Sequence, residues 1–130
     1  MAVSYGFGTI VDTDFENTIF KVTEELQKEG FGVLTEIDVQ ATMKKKLDKD
    51  MGPYRILGAC NPQLAHNAIS NEPSIGLLLP CNVLVREDES GKIHVEFMDP
   101  GAVLNLVDNP NVETLASEVK SRLMRVMDAL

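Results

Sequence analysis

The sequence is poor in the residues that usually build metal and redox centres. Its 130 residues include no tryptophan, two histidines and two cysteines. The cysteines, Cys60 and Cys81, lack the paired spacing of a zinc site, and His66 and His94 fall on separate predicted elements. We therefore predict two free thiols and no metal site, and the sequence identifies no cofactor.

Basic residues are also scarce. Twelve lysines and arginines stand against twenty acidic residues, which gives a net charge of -8. Nucleic-acid binding requires clustered positive charge to displace the counterions of the phosphate backbone. Lys44, Lys45 and Lys46 form the one basic cluster in the sequence, and we interpret it as a solvated helix face. The composition predicts no nucleic-acid partner.

Long hydrophobic runs are absent as well. No segment approaches the ~20 apolar residues that a membrane helix needs. The first residues lack the basic start and apolar stretch of a signal peptide. We expect a soluble, cytoplasmic protein with no membrane partner, folded as a single domain over residues 1–130.

The most apolar stretch, residues 74–86, is predicted to form the central strand. Pro80 interrupts it and predicts a bulge or bend, because proline cannot donate a ladder hydrogen bond. At roughly 3.3 Å per residue such a strand would span about 40 Å, whereas a domain of this size is only about 30 Å across. The strand is therefore expected to bend or to reach into a partner subunit.

A hairpin is predicted to follow this strand. With residues 87–91 as its loop, Arg86 would pair with Lys92. The core face would then carry Cys81, Val83, Val85, Ile93, Val95 and Phe97. The opposite face would carry Pro80, Asn82, Leu84, His94, Glu96 and Met98, and a bulge at Pro80 would turn Cys81 onto it.

The remaining elements alternate between strand and helix. A strand is predicted over residues 3–11, and Thr13 with Glu16 forms a capping-box pattern for a helix that ends at Gly30. Further strands are predicted over residues 32–37 and 54–59. Asp38 is expected to cap a short helix. Asn-Pro pairs predict helix starts at residues 61 and 109, the second with a long apolar stripe at Leu115, Val119, Leu123, Val126 and Leu130, and residues 99–101 are predicted to form a turn.

This order of elements predicts an α+β fold. We expect a single two-layer domain with a mostly antiparallel sheet and helices packed on one face. The predicted core order is β-α-β-β-β-β-α, with short inserted helices.

Three motifs resemble a known family. They are residues 56–62 (ILGACNP), residues 75–83 (IGLLLPCNV) and Asp99-Pro100. The pattern resembles the bacterial and archaeal family called domain of unknown function 302 over nearly the whole chain. The resemblance implies a β-α-β type fold continued by four strands and a C-terminal helix, and a homodimer. It implies no established activity and no site residues.

The first candidate site joins the two Cys-Asn pairs, Cys60-Asn61 and Cys81-Asn82. These pairs lie on strands that are potential neighbours, so they predict a ligand or thiol site with the amides as hydrogen-bonding partners. Cys60 should lie at a helix N-terminus, which favours an anion. The alternative is that both cysteines act as small buried hydrophobic residues.

Three acidic residues form a weaker group. Glu36 and Asp38 would make an acid-base pair if a cleft enclosed them, although Asp38 also suits a helix cap. Asp99 is explained most simply by a turn at Asp99-Pro100.

Two functions follow from these features. The first is a homodimeric module that binds a small molecule or a partner. The alternative is a thiol-dependent enzyme or redox sensor that uses Cys60 or Cys81.

Overall fold

The computed structural model describes residues 3–130, and it contains five strands and five α-helices. The strands are β1 (Gly6–Val11), β2 (Gly32–Asp38), β3 (Tyr54–Cys60), β4 (Cys81–Glu87) and β5 (Ile93–Met98). The helices are α1 (Phe15–Lys28), α2 (Val39–Leu47), α3 (Pro62–Asn71), α4 (Pro100–Val103) and α5 (Pro110–Asp128). Two 3₁₀ segments, Pro73–Leu78 and Leu104–Leu106, follow α3 and α4.

The five strands form one antiparallel sheet in the order β1-β5-β4-β3-β2. Apolar side chains of α1 and α5 pack with one face of this sheet in the main core. The buried members include Val22, Leu26, Leu57, Val83, Val95, Phe97, Leu123 and Val126. The α+β prediction is confirmed.

Helix ends follow local sequence signals, with one correction. Asp14 caps α1, because its Oδ1 accepts a hydrogen bond from the backbone N–H of Asn17 at 2.8 Å, so the prediction of Thr13 was wrong by one residue. At the other end Gly30 has φ +86°, and the N–H of Phe31 returns to the carbonyl of Leu26 at 2.9 Å. This is the left-handed turn that favours glycine after a helix.

The predicted long central strand was wrong. Residues Pro73–Leu78 form a 3₁₀ helix, and β4 begins only at Cys81, directly after Pro80. Ile75, only 1% exposed, packs in a second apolar cluster with Ala68, Leu104 and Val112. The apolar run therefore contributes first to the second apolar cluster and then, through β4, to the main core. The expectation that an over-long strand reaches into a partner subunit loses its basis.

The hairpin register was wrong by two residues, but both faces were right. Arg86 lies opposite His94 and Val85 opposite Val95. The loop is shifted because the Asp88 carboxylate accepts hydrogen bonds from the N–H groups of Ser90 and Lys92, at 2.9 and 3.0 Å. A shift of two keeps every side chain on its face, so Cys81, Val83 and Val85 stay in the core.

The apolar stripe of α5 is used within the chain. Val119, Leu123 and Val126 are buried in the main core. Leu115 and Leu130 are half-buried against the two apolar clusters. This stripe therefore offers no free surface for a second subunit.

Among residues 3–130, no helix combines the length and apolarity required to cross a bilayer.

One glycine of β1 is required by close packing. A Cβ added to Gly8 would lie 2.6 Å from the carbonyl oxygen of Val95 on the neighbouring strand. This matches the close backbone approach that a glycine inside a strand indicates. The strand starts at Gly6, later than the predicted residue 3.

Candidate functional site

A cavity of about 350 Å³ lies at the end of the sheet where β3 ends and β4 begins. Its walls come from that end of the sheet, α3, the 3₁₀ segment after it and α5. Almost all of the exposed wall is apolar. The apolar side chains are Phe31, Leu34, Ala59, Leu64, Ala65, Ala68, Ile69, Leu79, Leu104, Leu115 and Val119.

Both cysteines line this cavity. Ala59 lies directly opposite Cys81 in the antiparallel pair of β3 and β4, and Cys60 is the next residue along β3. Strand pairing thus brings together two residues that are far apart in the sequence. Both thiols are free.

The two thiols lie in different environments. Cys81 is buried, and burial together with the nearby Cys60 raises its pKa to about 11. Loss of solvent disfavours the thiolate, and negative charge on Cys60 disfavours it further. Cys60 is half-buried at the end of β3. At neutral pH Cys81 is therefore almost entirely the neutral thiol.

The two asparagines of the predicted site, Asn61 and Asn82, lie in different places and have different roles. Asn61 lines the cavity and is buried, and its Oδ1 accepts a hydrogen bond from the N–H of Leu64 at 3.2 Å, which caps α3. Asn82 is exposed on the opposite face of the sheet. There it borders a shallow depression with Tyr54, Leu84, Arg86 and Glu96. The structure thus brings Cys60, Asn61 and Cys81 together and leaves Asn82 outside.

The acidic candidates lie away from the cavity. The Arg55 guanidinium contacts Glu16, Glu36 and Asp38 at N–O distances of 3.2, 3.1 and 3.5 Å. It also lies 5.2 Å from the centre of the Phe15 ring. Asp38 in addition caps α2 through the N–H of Ala41. The two carboxylates are therefore held by one arginine rather than facing a cleft.

Asp99 has structural partners as well. Its carboxylate accepts from the N–H of Gly101 at 2.9 Å and pairs with Lys120 Nζ at 3.0 Å. Residues 100–103 form the short helix α4, so the predicted simple turn was wrong.

Sequence reasoning missed most of the cavity walls. The sequence predicts a strand over residues 74–86, and this wrong prediction conceals that residues 74–78 lie beside α3 and α5. Pro73 followed by Ser74, with Gly76 in the middle, was the available signal, because proline suits a first helical turn and glycine weakens a strand. Within residues 3–130, no three side chains of His, Cys, Asp or Glu cluster closely enough to hold a metal ion.

The chain is similar in sequence and in fold to proteins of one family. A search of curated proteins finds no match. Among solved structures, the chain is similar to an uncharacterised conserved DUF302 protein from Bacillus stearothermophilus, with 27% identity, a TM-score of 0.91 and 98% coverage of each chain. The family model for DUF302, a domain of unknown function, matches residues 7–130. On these grounds the chain belongs to the DUF302 family.

Proposed function

We propose that this chain is a binding module whose cavity takes a small, largely apolar molecule. The observation that carries the proposal is the cavity itself. Its volume of about 350 Å³ lies within the range typical of small-molecule sites, roughly 300–1,000 Å³. Mostly apolar walls with a few polar groups are also typical of such sites.

The rim of the cavity supports the same function. Leu34 is 67% exposed and Ile69 is 46% exposed, and both border the opening. A ligand seated there would remove this apolar surface from water, which is favourable by roughly 25 cal/mol per Å². The net charge of -8 supports a small-molecule partner over a nucleic acid.

A cavity-filling substitution tests the proposal. The probe is N-phenyl-1-naphthylamine, a neutral dye that fluoresces in apolar surroundings. Ala65 is half-buried on α3 and lines the cavity. We expect Ala65→Trp to weaken dye binding about tenfold or more, a loss of about 1.4 kcal/mol, because the indole occupies the space of the dye. Fluorescence titration measures the change.

His66→Trp is the matched control. His66 is the next residue on α3, is exposed and does not line the cavity. The control should bind the dye as the unmodified chain does. Equal binding by both variants would place the dye elsewhere, and no saturable binding by the unmodified chain would refute the proposed site.

We also propose that the module is a homodimer, acts as one domain over residues 1–130 and works in the cytoplasm. The family resemblance supports the dimer, as do exposed apolar side chains outside the cavity at Tyr5, Ile10 and Phe20. The free thiols fit a reducing compartment, to be checked by cell fractionation. Light scattering after size exclusion should give twice the 14.3 kDa chain mass. A monomer at micromolar concentration would refute the dimer.

The alternative is a thiol-dependent enzyme or redox sensor, favoured by the presence of both cysteines on one cavity. In that case the half-buried Cys60 is the nucleophile. We expect iodoacetamide to label Cys60 before Cys81 at pH 7 to 8, because a pKa of about 11 leaves Cys81 with little thiolate. The Cys81 rate should keep rising as pH approaches that value.

Peptide mass spectrometry reads the two sites separately. If Cys81 is labelled first, the proposed order of accessibility is wrong. If both thiols stay unlabelled until a denaturant unfolds the chain, the thiol alternative loses its support.

A further inference from the structure

We propose that the cavity selects uncharged apolar molecules, such as aromatic alcohols, and excludes the corresponding carboxylates. The inference rests on the proposed ligand cavity and names the chemical class of its occupant. The walls, the end of α3 and a neighbouring arginine all bear on this selection.

The walls of the cavity are uncharged. All seventeen described residues that line it have side chains without a formal charge, and its polar members are Thr35, Asn61 and the two cysteines. A charge that moves from water into such apolar surroundings without a partner costs free energy. Loss of solvent is also the main reason that the pKa of the Cys81 thiol is raised to about 11, and it would act on a ligand carboxylate in the same way. A molecule that enters the cavity should therefore be neutral.

The N-terminus of α3 borders the cavity, but its backbone donors are mostly engaged. Pro62, the first residue of the helix, has no N–H. The N–H of Leu64 donates to Asn61 Oδ1 at 3.2 Å, and that of Ala65 donates to the Asn61 carbonyl at 2.8 Å. Of the first four residues of α3, Gln63 alone keeps an N–H outside these bonds. A carboxylate is well stabilised by two or three backbone N–H groups, so this helix end does not compensate for the uncharged walls.

Arg122 of α5 lies near Asn61 but is already paired. A Cβ at Gly30 would be 2.8 Å from Asn61 Nδ2 and 3.2 Å from Arg122 Nη1, so the amide and the guanidinium are neighbours. The Arg122 Nε pairs with Glu118 at 2.9 Å, and its Nη1 donates to the Glu29 carbonyl at 3.0 Å. Arg122 does not line the cavity. Its charge is therefore compensated by Glu118 and not by a ligand.

Two matched naphthalenes test the selection. 1-Naphthalenemethanol and 1-naphthoate share the ring system, and one carries an alcohol where the other carries a carboxylate. Each competes with the naphthylamine dye for the chain in about 0.5 M salt, which screens the overall charge of -8. We expect the alcohol to displace the dye with an affinity about tenfold or more above that of the carboxylate.

A lysine at the opening should reverse part of this preference. Ile69 is exposed on α3 and borders the cavity, so Ile69→Lys adds a cation there without burying it. We expect the affinity for naphthoate to rise about fivefold and that for the alcohol to change by less than about twofold. His66→Lys is the control, because it adds the same charge to the same helix outside the cavity, and it should change neither affinity. If Ile69→Lys fails to fold, Leu34→Lys replaces it, since Leu34 is exposed at the same opening.

Equal competition by the alcohol and the carboxylate would overturn the proposal. So would a naphthoate affinity that Ile69→Lys raises no more than His66→Lys does, because the selection would then not come from the cavity walls. Either result together with saturable dye binding leaves the cavity as a ligand site and removes only its selectivity. Failure of the dye and of both naphthalenes to bind refutes the cavity as a ligand site and the selection with it.

Discussion

Val83→Asp should destabilise the fold by about 4 kcal/mol or more, a large share of the roughly 5–15 kcal/mol that typically stabilises a domain. Val83 is 0% exposed at the centre of β4. It lies opposite Leu57 on one neighbouring strand and Phe97 on the other. A carboxylate there has no partner and must either remain charged in an apolar core or take up a proton. Chemical denaturation followed by circular dichroism measures the loss.

Asn82→Asp provides the matched control. Asn82 is the preceding residue of the same strand and points to the exposed face. The same new carboxylate should change the free energy of unfolding by no more than about 0.5 kcal/mol, because it stays in water. A reversed ranking of the two variants would mean that the faces of β4 are assigned the wrong way round.

Gly8→Ala should produce the second large loss, about 2 kcal/mol, since overpacking typically costs 1–3 kcal/mol. The added methyl group would lie 2.6 Å from the Val95 carbonyl oxygen and 3.1 Å from the Glu96 Cα. Both are backbone atoms of β5, so no side-chain rotation relieves the contact. β1 must move away from β5 and lose ladder hydrogen bonds. The same denaturation experiment reports the difference.

Gly32→Ala is the control for this prediction. Gly32 also lies in a strand, and a Cβ there would meet no atom within 4 Å. Its replacement should leave stability unchanged or raise it by about 0.5 kcal/mol, because alanine restricts the unfolded chain. Equal losses in the two variants would show that strand glycines matter through flexibility rather than through contact.

The features of the fold that the sequence predicts correctly are those that depend on neighbouring residues. Asp38 and Asn61 cap α2 and α3 as predicted, because a cap depends on a few adjacent residues. The faces of β4 and β5 were predicted correctly even with the wrong register, since the strand period of two tolerates a shift of two. Interactions within a few residues are readable from the sequence alone.

Tertiary contacts explain what the sequence did not predict. Ile75 and Leu78 suit a strand by composition, but they pack in the second apolar cluster with residues of α3 and α5. A strand propensity is easily overridden by such packing. The same limit applies to the site. The pairing of β3 with β4 places Cys81 opposite Ala59 and brings both cysteines to one cavity, and no local sequence pattern predicts this.

The order of the strands in the sheet determines the order in which they can pair during synthesis. Each of β2, β3 and β4 finds a partner in the strand that follows it, so these pairs are available as soon as the next strand is made. β1 pairs with β5 alone in this sheet, so all of the chain between them must be synthesised before the two strands can meet. Long-range pairings are slow because a large loop must close. On a ribosome, therefore, the first strand to be synthesised is the last of the five to be incorporated into the sheet.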